Sequence, residues 1–124
     1  MTDADRKLIE LAAHSIGRTV TGWSRQGGVD VAILDDETYW QPLYKNAITD
    51  CAGDALRLAA RLGLEVEINH KCPGGPSDPL VSVRGYIYRR LLADEWAEDN
   101  GEPLDMATCR AIVRAAAEIG RILL

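Results

Sequence analysis

The run from Asp50 to Asn69 constrains the fold of this chain more than any other stretch. Cys51, Ala55, Leu58, Ala59 and Leu62 recur at helical spacing, with Arg57 and Arg61 on the opposite side. Gly63 follows where a helix commonly ends in a left-handed residue. Leu64, Val66 and Ile68 then alternate with Glu65, Glu67 and Asn69, the pattern of a strand with one buried face. The spacing predicts a helix from about Thr49 or Asp50 to Leu62 that packs its apolar stripe on a core, and a strand directly after it. Gly53 and Asp54 fall in the first turn, where an acid favours the positive end of the helix dipole.

The flanking sequence adds to this unit. Asp3 is placed to cap a first helix. Leu8, Leu11, Ala12 and Ser15, with Ile9 and Ile16 beside them, give its stripe, and Gly17 stops it. Residues 18–23 read as a strand, residues 24–28 as a turn and residues 29–34 as the returning strand of a hairpin. Asp35, Asp36 and Glu37 form a polar turn, and Tyr39-Trp40 a short strand before Pro42. Residues 71–79, with three prolines and two glycines, read as a loop, and residues 80–84 as a strand. Residues 86–96 fit a helical face (Tyr88, Leu92, Trp96) or a strand (Tyr86, Tyr88, Arg90). The preferred reading is a strand continuing to about Leu91 and then an acidic loop. A last helix starts near Asp105. Met106, Cys109, Ile112, Val113, Ala116, Ile119, Gly120 and Leu123 lie on one face, and Arg110, Arg114 and Arg121 on the other. Hairpin-linked strands flanked by helices predict an α+β fold, with one antiparallel sheet of about four to five strands and three helices. At 124 residues, 47% hydrophobic and 27% charged, residues 1–124 read as a single domain.

Charge narrows the partners. The net charge is −5, and the stretch from Asp94 to Asp105 alone holds Asp94, Glu95, Glu98, Asp99, Glu102 and Asp105 with no base. Without it the chain would be close to neutral. Such a balance argues against direct nucleic-acid binding, which needs clustered Lys and Arg. It suits a basic partner surface instead. The acidic start and the lack of a long apolar run predict neither a signal peptide nor a membrane span. Three cysteines without framework spacing fit a reducing compartment.

Candidate chemistry is sparse. His70 and Cys72 stand one residue apart, but a structural zinc needs four ligands. Cys51 and Cys109 fall on apolar helix stripes, where cysteine acts as a small core residue. No metal and no cofactor are therefore expected. A Cys72 nucleophile with His70 as base lacks an orienting third group. Gly74 and Gly75 offer backbone N–H groups beside Lys71, an arrangement able to cradle an anion. Yet the loop lacks the Lys-Ser/Thr ending of a P-loop, and a stiff strand connection explains it as well. Trp40 reads as core or core lid, with an exposed stacking platform as the alternative.

Four segments read together carry a resemblance. They are residues 8–13; Trp40-Gln41-Pro42-Leu43; Gly53-Asp54-Ala55-Leu56-Arg57-Leu58-Ala59 running to Leu62-Gly63-Leu64; and residues 107–117. The chain resembles a family of small bacteriophage and prophage proteins, similar in layout to the phage ABA sandwich domain. That family typically carries a Trp–polar–Pro–Leu stretch and two helices with these motifs. Here Cys109 stands where the family has the first Arg of its terminal helix, residues 44–48 lengthen the approach to the middle helix, and the likeness breaks between His70 and Pro103. The resemblance implies an accessory phage protein in the cytoplasm of the bacterial host, with no catalytic motif to carry over.

Small phage accessory proteins often counter host defence, which by analogy of setting gives the functional expectation. The chain is read as a non-enzymatic, anti-CRISPR-like inhibitor that binds a host defence protein or complex through Asp94, Glu95, Glu98 and Asp99. One alternative is a sponge for a nucleotide defence signal, holding it with His70, Lys71, Gly74 and Gly75, with self-association left open. Another is a small enzyme with no recognisable motif.

Overall fold

A computed structural model of the chain describes residues 1–69, 79–85, 91–96 and 103–124. The described residues form an α+β fold with the elements α1 (Asp3–Ser15), β1 (Val20–Gln26), β2 (Val29–Leu34), β3 (Tyr39–Trp40), α2 (Cys51–Leu62), β4 (Glu65–Asn69), β5 (Leu80–Arg84), β6 (Leu91–Trp96) and α3 (Leu104–Ile122).

The cap of α1 is Thr2 rather than Asp3. Its hydroxyl accepts from the Asp5 N–H at 3.1 Å, and its own N–H donates to the Asp5 carboxylate at 3.3 Å. This reciprocal pair satisfies two donors that would otherwise be orphaned at the helix start. Gly17 follows the helix with φ of 73°, as expected of a terminating glycine. The first strand is shifted toward the turn relative to the expected residues 18–23: it starts at Val20, leaving Arg18 and Thr19 outside, and runs on to Gln26. Only Gly27 and Gly28 form the turn, with φ of 58° and 85°, the positive pair that a two-residue hairpin turn requires. Residues 24–26 stay in β1 because Arg25 stands opposite Asp30 across the ladder and pairs with it.

The helix of the middle unit matches its sequence closely, but the buried face expected of β4 is corrected: Leu64 and Val66 are only half-buried and Ile68 is exposed. Asp50 caps α2 by accepting from the Gly53 N–H at 3.1 Å, and Gly63 ends it in the left-handed conformation. Cys51, Ala55, Leu58 and Ala59 are buried and Leu62 half-buried. A side chain at Gly53 would strike the capping carboxylate of Asp50.

The single sheet of four to five strands is corrected to two antiparallel sheets of three, ordered β1-β2-β3 and β4-β5-β6. Local turns dictate that β1 pairs with β2 and β2 with β3. Nothing in strand periodicity says whether β4, arriving after a whole helix, joins that edge or founds another sheet. The expectation that an acidic loop begins after about Leu91 is corrected as well for residues 92–96; residues 86–90 of the expected strand and 97–102 of the loop lie outside the described residues. Residues 92–96 belong to β6, which carries Asp94 and Glu95 and pairs Ala93 with Val83, Asp94 with Ser82 and Glu95 with Val81. Charge density suggested a loop, but a strand needs only one face apolar, and Ala93 is buried.

Both sheets feed one apolar core. Ala32, Leu34 and Trp40 enter it from the first sheet, Val81, Val83 and Ala93 from the second, and Ile9, Ala12 and Ala13 from α1. At its centre lies α3, which packs on α1, α2, β5 and β6. It is buried on more than the one face its periodicity predicted: Ala107, Ala111, Ala115 and Ala117 are buried along with Cys109, Ile112, Val113 and Ala116. Leu123, expected on the core face, is exposed. Small residues let α3 approach its neighbours closely. At Gly120 a Cβ would collide with the Leu11 carbonyl oxygen of α1.

Candidate functional site

The acidic stretch divides on folding. Asp94 is exposed on β6, an edge strand of its sheet. Glu95 is largely buried and accepts from Arg114 Nη1 at 2.7 Å; the same nitrogen donates to the Asp94 carbonyl at 2.9 Å. Asp105 pairs with Lys45 at 2.8 Å, and that bond holds its carboxyl below the usual range. Of the four acids expected to meet a partner, Asp94 is therefore free to do so and Glu95 is committed to α3. Glu98 and Asp99 lie outside the described residues. So do His70, Lys71, Gly74 and Gly75 of the alternative ligand site, and Cys72.

Cys51 and Cys109 are free thiols, both buried, on facing helices. Hydrogen bonding to Cys109 pushes the Cys51 thiol up, and burial adds to the effect. Cys109 accepts that bond and is shifted down despite its own burial. Trp40 is buried, in line with the core reading. Among the described residues no three His, Cys, Asp or Glu side chains stand close enough to share a metal ion. No described helix is long and apolar enough to cross a membrane.

Sequence reasoning missed the polar groups built around Gln41 and around Asp5. Gln41 is fully buried. Its side-chain N–H group donates to the Asp30 carbonyl, and its side-chain oxygen accepts from the N–H groups of Leu43 at 2.9 Å and Tyr44 at 3.1 Å. Its backbone N–H donates to Asp54 at 3.2 Å. The Trp40–Leu43 stretch is thus held by a glutamine that reproduces the bonds of a turn. Asp30, only 3% exposed, accepts from Arg6 Nε at 3.0 Å and Nη2 at 2.7 Å. The hydrogen bond from Arg6 is the main reason its carboxyl lies below the usual range. Arg6 also lies 5.8 Å from the centre of the Trp23 ring, within cation–π range.

A second polar group joins α1 to α3. The Tyr44 hydroxyl donates to Asp5 at 2.7 Å and accepts from Arg110 Nη2 at 3.0 Å, while Arg110 Nη1 sits 3.5 Å from Asp5. Burial opposes ionisation of Asp5, but the hydrogen bonds from Tyr44 and Thr2 and the charge of Arg110 outweigh it, so its carboxyl is held low. Burial and the bond to Asp5 push the Tyr44 hydroxyl up. Two of the three arginines read on the other face of the last helix therefore make tertiary contacts, Arg110 to Asp5 and Tyr44 and Arg114 to β6, while Arg121 pairs within the helix with Glu118. Asp5, the third residue of α1, carries no distinguishing mark in the sequence, yet it joins Thr2, Tyr44 and Arg110.

No protein-family model matches the chain, and no curated protein or solved structure matches it.

Proposed function

We propose that this chain is a non-enzymatic phage accessory protein that binds and inhibits a host macromolecule, in an anti-defence role, through the acidic edge of its second sheet. The observation that carries the reading is Asp94, exposed on edge strand β6 in the most acidic stretch of the sequence. A charge on an edge strand rejects strands of its own kind while attracting a basic surface. The buried thiols face each other, which leaves neither exposed for attack on a substrate.

The test is charge reversal that spares the Glu95–Arg114 pair. Asp94→Lys, Glu98→Lys and Asp99→Lys in one protein should leave the melting curve close to that of the wild type. The same protein should lose a host partner that the wild type retains from a bacterial lysate at low salt. It should also lose protection of phage in a defended host. Retention of the partner at undiminished, salt-insensitive affinity would sink the proposal.

A further inference from the structure

We infer a binding site for a phosphate-type dianion where α2 passes the turn between α1 and β1. Arg57 and Arg61, four residues apart on α2, and Arg18, just after Gly17, line a pocket of about 190 Å³ whose other walls are Ile16, Leu34, Trp40, Asp54 and Leu58. Three guanidinium groups against one carboxylate leave this lining two charges positive, in a chain whose net charge is −5.

The single carboxylate is already engaged. One Asp54 oxygen accepts from the Gln41 N–H, and the other accepts from Arg57 Nη2 at 2.9 Å. Asp54 thereby orients Arg57 at the pocket wall, while that side chain remains 68% exposed. Arg18 is held loosely. It lies 3.8 Å from Asp35 and 3.5 Å from Asp36, well beyond the ~2.7–2.9 Å of a charge-assisted hydrogen bond. Arg61 is exposed and has no ion-pair or hydrogen-bond partner among the described residues. Guanidinium forks suit phosphate oxygens because they donate two parallel bonds.

Size sets the ligand class. Pockets for drug-sized molecules run to roughly 300–1,000 Å³, so this one takes a head group rather than a whole cofactor. The ligand is a small phosphorylated metabolite or phosphate itself, with its phosphate among the three arginines. The site is separate from the acidic edge and stands whether or not the inhibitor reading holds.

The experiment is calorimetric titration of the full chain at low salt with inorganic phosphate and, separately, with adenosine monophosphate. Saturable one-to-one binding is expected, with affinity falling about tenfold or more in Arg61→Gln, the loss of one charge-assisted contact. Arg61→Gln should melt with the wild type. If it does not fold, Arg18→Gln takes its place with the same expectation. Tighter binding of the nucleotide identifies a nucleotide-like ligand, and equal binding identifies the phosphate alone; both support the site. The Asp94→Lys, Glu98→Lys, Asp99→Lys protein should keep phosphate binding, which separates this site from the proposed partner surface. Absence of saturable binding by either probe, or undiminished affinity in the arginine variant, overturns the inference.

Discussion

The two sheets have the same number of strands and both bury apolar residues in the core, but the first carries a set of buried directional bonds in addition. The first, β1-β2-β3, is tied to its surroundings by directional bonds: Gln41 to Asp30, Leu43 and Tyr44, and Asp30 to Arg6. The second, β4-β5-β6, rests on the burial of Val81, Val83 and Ala93 in the core, with the Glu95–Arg114 ion pair at its edge. The polar sheet is fixed by a few irreplaceable groups, because a buried donor or acceptor without its partner loses its full solvation. The apolar sheet is fixed by area, which many residues share.

The sharpest way to break this comparison is a paired substitution. Gln41→Ala should strand the Asp30 carbonyl and the N–H groups of Leu43 and Tyr44. At ~1–3 kcal/mol for each orphaned group, the cost should reach about 3 kcal/mol or more. Val83→Ala in the central strand of the other sheet should cost about 2 kcal/mol from lost burial. Chemical unfolding of both variants measures the difference. A larger loss in the valine variant would reverse the assignment of forces.

Acid should also act on the polar side. The native carboxyls of Asp5 and Asp30 lie below their ordinary value of 3.8. Their stabilisation is therefore fully present above that value and is lost as pH falls through the lowered native values. Asp30→Asn should flatten the fall in stability on this acid limb. Equal slopes for variant and wild type would show that Asp30 does not contribute to the pH dependence.

The smallest effect belongs to the edge of the second sheet. Arg114 is partly exposed, so Glu95→Gln should cost only about 0.5–1 kcal/mol. Asp94→Asn should change stability by less than about 0.5 kcal/mol. Thermal melts of the two proteins side by side test whether Glu95 is structural and Asp94 is not. If the Asp94 variant proves the less stable, the division of the acidic stretch drawn from the ion pair is wrong.

Legibility followed sequence distance. The α2–Gly63–β4 unit, the first hairpin and the Tyr39-Trp40 strand were readable because their signals are local: caps, turn glycines and the periods of helix and strand. By itself the sequence determined the α+β class, the number of helices, the stripe of α2 and the burial of Trp40. Each of these follows from the apolar spacing within one element. Only the tertiary structure decided that the strands divide into two sheets, that Asp94 and Glu95 ride on a strand, and which charges are committed. The contacts that decide this join residues far apart in the chain, such as Arg6 with Asp30 and Arg110 with Tyr44. No local pattern announces such a pair, because an arginine on the polar face of a helix has the same spacing whether it meets water or a buried carboxylate.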